Sequence, residues 1–271
     1  MPTSHDITAL ETPLSFGEWL DMCWRALATG FCFAVFGLGQ LILGLTLFPL
    51  VLLLVWKPSA RRRLAKRGIH WSMKAFVGLM HLTRVLDYSV EGLEKLKKPG
   101  ILVLANHPSL IDVVFLLSFI EEADCVVKSA LFKNPFTGFA VKGAGYISND
   151  KDPEAVVEAC RTSFAEGNAL IVFPEGTRSV PGLPLQLQRG SAQIAVRCGR
   201  DMTPVIIEAR EHNLGKASLW WKVPRRRMQF HFKVKADMPI GPFLEKEASL
   251  AARDLTDHLT AYFNRETLAH A

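Results

Sequence analysis

The stretch Ile101-Leu102-Val103-Leu104-Ala105-Asn106-His107-Pro108-Ser109-Leu110-Ile111-Asp112 decides how the rest of the chain is read. Its first five residues form an apolar run that reads as a buried strand. Pro108 and Ser109 suit a turn into a helix N-terminus, and residues 110–120 continue as an apolar helix. His107 and Asp112 are five apart, about 140° around an ideal helix, so they do not share a face in mid-helix. They meet if His107 lies in the turn and Asp112 one turn inside, pointing back. That arrangement holds one imidazole nitrogen on a carboxylate and frees the other, as a general base requires. A strand-end histidine beside a helix-capping aspartate accounts for an isolated H-x4-D equally well.

A second stretch, Phe173-Pro174-Glu175-Gly176-Thr177-Arg178-Ser179, repeats the device after the apolar run 169–173. Open α/β sheets present polar groups to ligands at such carboxyl ends of strands. Glu175, Thr177 and Arg178 are expected to converge there on something polar. The planar fork of Arg178 suits a phosphate, and Gly176 lets backbone approach a ligand closely.

The pair of stretches, in this order and at this separation, resembles the glycerolipid acyltransferase family of the lysophosphatidate acyltransferase type. The resemblance covers residues 89–208. Lys128 through Gly145-Tyr146-Ile147 is similar to the family's second block, and Thr203-Pro204-Val205-Ile206 to its fourth. The second block often ends with an arginine soon after the isoleucine. This chain instead reads Ser148-Asn149-Asp150-Lys151, so its grip on a phosphate is expected to differ. Lys128 and Lys151 are the further phosphate candidates.

Of the 271 residues, 49% are hydrophobic, and mean hydropathy is +0.17, high for a soluble enzyme. A net charge of +6 fits nucleic acid or anionic lipid, and the apolar excess favours lipid. Nothing resembles a nucleic-acid-binding module. The five cysteines lack C-x-x-C spacing and read as reduced packing residues. No metal constellation and no cofactor motif such as G-x-G-x-x-G is present, so no cofactor is expected. The resemblance implies an acyl thioester, acyl-CoA or acyl-ACP, as co-substrate.

Residues 1–25 read as a tail, either mobile or forming a short surface helix, and 26–56 carry no charge. The latter run exceeds the roughly 20 residues of one straight bilayer crossing, and Pro49 allows a tilt, kink or re-entry. It is read as a membrane anchor. Residues 57–85 form a basic, amphipathic connecting helix opened by Lys57, Arg61, Arg62, Arg63, Lys66 and Arg67, cations that suit anionic headgroups. The acidic residues before the anchor and the basic ones after it place the catalytic domain, 86–271, on the cytoplasmic side of an inner membrane. A second basic cluster, Trp220, Trp221, Arg225, Arg226 and Arg227, is expected to touch the membrane, with indoles at headgroup depth. Leu131, Phe132, Phe136 and Phe139 read as core or as the wall of an acyl-chain groove.

Strands are expected at 86–90, 101–105, 125–128, 146–148, 169–173, 204–208 and 229–235, with helices between several of them. The best-marked helix starts at Asp152-Pro153 and stops at Gly167; others cover 188–198 and 244–268. The fold class is α/β: a layered domain with a mostly parallel or mixed central sheet flanked by helices, preceded by the anchor helix.

The expected chemistry is transfer of a fatty acyl group to the hydroxyl of a lysophospholipid, with membrane lipids as surroundings. His107 takes the hydroxyl proton and Asp112 fixes its tautomer. Alternatives are the same chemistry on an ornithine lipid, glycolipid or polyketide-type acceptor, a thioesterase in which His107 activates water, and a non-catalytic lipid-binding membrane protein.

Overall fold

The computed structural model describes residues 13–134, 137–150, 152–180, 182–211, 214–215 and 222–268. Residues 1–12, Phe136, Lys151, Trp220 and Trp221 lie outside the described residues, as do the expectations attached to them.

A seven-stranded mixed sheet carries the site. Its strands are β1 (Leu86–Glu91), β2 (Leu102–Ala105), β3 (Ala123–Val127), β4 (Ile147–Ser148), β5 (Ala169–Val172), β6 (Met202–Arg210) and β7 (Met228–Val234), in the spatial order β1-β7-β6-β2-β5-β3-β4. From β6 through β4 all neighbours are parallel, whereas β7 runs against β6 and takes β1 with it. The central strands are buried on both faces, which explains their unbroken apolar composition.

The pleat sorts their side chains into two cores. Val103, Ala105, Ile171 and Ile207 pack under α3 (Pro58–Leu82), α4 (Asp112–Phe119) and α6 (Gly138–Ala144). Leu102, Leu104, Leu170 and Ile206 pack on the other face under α7 (Pro153–Ala165), α8 (Arg189–Cys198) and α9 (Ala248–Leu268). A short α5 (Ala130–Lys133) precedes α6. Asp152 caps α7 by accepting from the backbone N–H groups of Glu154 and Ala155, with Pro153 in the first turn. Gly199 ends α8 at φ +58°, where a Cβ would be strained.

The N-terminal helix starts well before the apolar run. In α1 (Phe16–Leu45), Ser15 and Glu18 form a reciprocal capping box, so residues 16–25, expected in the tail, are helical. The chain breaks at Thr46 and resumes as α2 (Leu47–Leu54), where Pro49 sits in a first turn that has no use for its missing N–H. Phe16–Leu54 is the stretch long and apolar enough to cross a bilayer among the described residues. Yet α1 is packed lengthwise on the domain. Trp24 Nε1 donates to Thr83 O (2.9 Å), the Phe36 ring meets Phe76 (centroids 4.4 Å apart), and Gln40 Nε2 donates to Ser72 Oγ (2.6 Å). Its opposite face exposes Phe16, Leu27, Phe31, Leu38 and Leu45.

Most cations at the start of α3 have partners inside the protein: Arg62 with Glu166, Arg63 with Glu122 (3.4 Å), and Arg67 with Glu121 (3.1 Å) and Glu122 (3.3 Å). Arg61 donates to carbonyls of Leu52 and Val55 at the end of α2. Lys66 lies 2.8 Å from Asp124, with only 2% and 5% of their side chains exposed. Carboxylates gather at the amino end of the sheet, and α3 lays its polar stripe on them.

Candidate active site

Alternation along β2 sends Asn106 and His107 to opposite sides. The Asn106 side chain pairs twice with the backbone of Ile207, donating to its O (2.8 Å) and accepting from its N (2.7 Å), which ties the end of β2 to the middle of β6. The His107 ring turns to the α3–α4 face and stacks on Phe173 from the end of β5, with centroids 4.2 Å apart.

His107 Nδ1 lies 2.8 Å from Asp112 Oδ2, so the turn between them brings the two together. Asp112 is fully buried at the first turn of α4, where the helix dipole favours its charge. Its remaining partners come from one residue. Ser109 N donates to Oδ2 (2.7 Å) and Ser109 Oγ to Oδ1 (2.6 Å). With its proton committed to Asp112, the Ser109 hydroxyl is a brace. Ser-x-x-Asp at a helix start is the pattern in which an acidic side chain reaches back to a backbone N–H, a signal that could have found it.

The Glu175 carboxylate is engaged with the neighbouring loop through Oε1, which accepts from His107 N (2.8 Å) and from Ser179 Oγ (2.8 Å), while Ser179 N donates to His107 O (2.8 Å). The two motifs are thus stitched together, and burial pushes the Glu175 carboxyl above its usual range against the pull of those hydrogen bonds. Gly176, at φ +66°, turns the chain where a Cβ would be strained. Thr177 is exposed beside it.

Arg178 is part of the same cluster but is half spoken for. Its Nη1 donates to Leu214 O (3.0 Å) and Gly215 O (2.7 Å), and Leu214 O also accepts from Leu110 N (2.9 Å). Nε and Nη2 make no hydrogen bond among the described residues. Lys128 is exposed just beyond β3, two strands from β2, on the order of 10 Å of sheet away. Near it, hydrogen bonds from Ser148 and Ser129 hold the Asp150 carboxyl below its usual range. A carboxylate therefore occupies the region where the sequence departs from an arginine.

Arg225 and Arg227, expected to touch the membrane, also have partners inside the protein. Arg225 pairs with Glu18 (3.1 Å) and Arg227 with Asp87 (2.6 Å). Arg226 remains exposed and unpaired among the described residues. Sequence reasoning missed the cause, Arg25. Fully buried on α1, it donates to the carbonyls of Pro224 (2.8 Å), Arg225 (2.8 Å) and Arg226 (3.0 Å) and pairs with Asp21 (2.7 Å). Among the described residues, no group of three or more His, Cys, Asp or Glu side chains is placed to hold a metal ion.

Residues 87–208 match the family model described as Acyltransferase. A 1-acyl-sn-glycerol-3-phosphate acyltransferase of Pseudomonas aeruginosa is 30% identical over 201 residues, 69% of this chain and 72% of its own length. One of Saccharomyces cerevisiae is 32% identical over 143 residues, 49% of this chain and 47% of its own. The crystal structure of the 1-acyl-sn-glycerophosphate acyltransferase of Thermotoga maritima superposes with a TM-score of 0.67 at 21% identity, covering 94% of this chain and 98% of that one.

Proposed function

The chain belongs to the acyltransferase family, of the 1-acyl-sn-glycerol-3-phosphate acyltransferase type, and from that premise we propose that it transfers a fatty acyl group from acyl-CoA or acyl-ACP to the hydroxyl of a lysophospholipid, 1-acyl-sn-glycerol-3-phosphate first among them. The observation that carries the mechanism is the 2.8 Å contact of His107 Nδ1 with a fully buried Asp112. Asp112 holds the tautomer protonated on Nδ1, leaving Nε2 as the base. Nε2 takes the acceptor's proton as its oxygen attacks the thioester carbonyl. The tetrahedral intermediate then expels the thiolate, which recovers the proton from Nε2. Asp112 stabilises the imidazolium in between, and no acyl-enzyme forms.

Arg178 uses Nη1 to fix its own orientation and keeps Nε and Nη2 for the acceptor's phosphate; Lys128 and Lys151 are the further cations for that group. Thr177 and Gly176 form the edge of the acceptor pocket, and Glu175 braces the backbone of His107.

The exposed apolar face of α1 supports attachment to a membrane; the reading proposed is the inner membrane with the catalytic domain on its cytoplasmic side, resting on the charge asymmetry around the apolar run. Because α1 packs on the domain along its length, the reading favoured is a helix embedded from one side, not a free-standing span.

The test uses purified protein on vesicles with labelled acyl-ACP or acyl-CoA, with and without lysophosphatidate. Acceptor-dependent formation of the diacyl product is expected, and His107→Ala should lower turnover by about 10²–10⁴-fold while retaining the fold. Acyl release independent of acceptor would replace transfer with hydrolysis.

A further inference from the structure

A cavity of about 820 Å³, within the range of ligand-sized pockets, opens at the end of the sheet opposite His107. Ala169, the first residue of β5, lines it, whereas His107 lies two residues past the end of the parallel neighbour β2. It occupies the corner between α3, the edge strand β1 and the C-terminal end of α4. The floor is apolar, with Val77, Val90, Leu96 and Phe119.

Charge on the rim is unevenly matched. Glu121 and Glu122 pair with Arg67 and Arg63, and Lys98 pairs with Asp237 (2.6 Å). Lys74 and Lys97 are exposed and have no carboxylate partner among the described residues. The Lys74 ammonium lies 4.9 Å from the Trp71 ring centroid. Leu64, Trp71 and Leu82 recur at intervals of seven and eleven residues, close to whole turns, and form an exposed apolar stripe on α3. Trp71 also lines the groove that α3 shares with Val35 and Leu43 of α1, so the stripe continues the apolar surface of α1. Lys74, about 60° around the helix from Trp71, stands where that surface meets the cavity mouth.

We propose that this cavity holds one anionic phospholipid drawn from the bilayer, its phosphate between Lys74 and Lys97 and an acyl chain along the floor. An unbalanced pair of lysines beside an interfacial tryptophan matches an anionic headgroup, and an apolar floor matches the chain below it. The inference rests on the membrane-attached reading of α1 and not on the transfer reaction.

Native mass spectrometry of the full chain in detergent tests it, with phosphatidylglycerol and phosphatidylcholine of equal chain length as probes. One phosphatidylglycerol should be retained per chain, and phosphatidylcholine held at least about tenfold less. The double variant Lys74→Glu/Lys97→Glu should lose about thirtyfold or more in phosphatidylglycerol retention, while Lys57→Glu, outside the cavity, should change it little. Inorganic phosphate should not displace the lipid, because part of the grip is on the chain. Equal retention of both lipids, an unaffected double variant, or full displacement by phosphate would each overturn the proposal. Circular dichroism checks that the charge reversals leave the fold in place. Acyl transfer is assayed in parallel. Retention without transfer sinks the proposed reaction alone, and transfer without retention sinks this site alone.

Discussion

At the scale of single residues, the candidate site depends on a buried carboxylate with few partners. Asp112 Oδ1 has one donor, Ser109 Oγ at 2.6 Å. Ser109→Ala leaves that oxygen buried without a donor, a cost of about 1–3 kcal/mol that falls on the group orienting His107. Turnover should drop about ten- to hundredfold with KM little changed. Ser109→Thr, which keeps the hydroxyl, should recover most of it, and steady-state kinetics of the two variants decide. Glu175 supplies a prediction in pH. Its folded-state carboxyl is raised by burial, so its contribution to stability is fully present below the ordinary value of 4.5 and is lost as pH rises through the folded-state value. Glu175→Gln keeps an acceptor for His107 N and Ser179 Oγ without ionising. Melting temperatures of wild type minus variant, followed upward from pH 4.5, should therefore fall, and a difference independent of pH would contradict it. His107, Asp112 and Arg178 were legible because short motifs at strand ends carry them. The inward role of Glu175 was not, since nothing in Phe-Pro-Glu-Gly says whether the carboxylate meets a ligand or the neighbouring loop.

At the scale of elements, strands and helix caps were readable from local pattern: β2 and β5 from unbroken apolar runs, α7 from Asp152-Pro153. Docking partners were not, because they come from far along the chain. The cations of 61–67 looked like a headgroup patch in sequence, yet their carboxylates arrive from Glu121, Glu122, Asp124 and Glu166. The Lys66–Asp124 pair is the most consequential. Both ends are buried, and Ser163 Oγ donates to the same carboxylate (2.6 Å). Removing one partner strands the other charge, so Lys66→Met should cost about 3–5 kcal/mol in urea unfolding. The double variant Lys66→Met/Asp124→Leu should recover a large part, since an apolar pair carries no uncompensated charge. Arg25 plays the matching part between α1 and residues 224–226. Arg25→Ala frees three carbonyls, and trypsin should then cut after Arg225, Arg226 or Arg227 several times faster than in wild type.

At the scale of the whole molecule, the two sheet faces are closed in different ways. One is sealed by α7, α8 and α9 against water, the other by α3, α4 and α6 with α1 laid on α3 and α6. The His107 ring lies on the face that α1 shares, so the candidate base and the apolar surface belong to the same side of the sheet. An acceptor and an acyl chain that both reside in lipid would thus reach the site without crossing the sheet. The outer stripe of α1 is the part of this arrangement that can be removed without touching either core. Leu27, Phe31 and Leu38 are exposed, recur at intervals of four and seven residues, and face away from Arg25, Cys32 and Gln40, which are buried. Burying each such side chain in an apolar phase stabilises by roughly 1.5–3 kcal/mol. Replacing all three by glutamate removes that gain and adds three charges to desolvate, so partition into vesicles should fall by about 10³-fold or more, read by co-flotation. The melting transition in detergent should stay close to wild type, because neither core is altered. Transfer to lysophosphatidate presented in vesicles should fall with the bound fraction. Undiminished flotation of the triple variant would mean that another surface holds the protein to lipid, and the one-sided embedding of α1 would have to be given up.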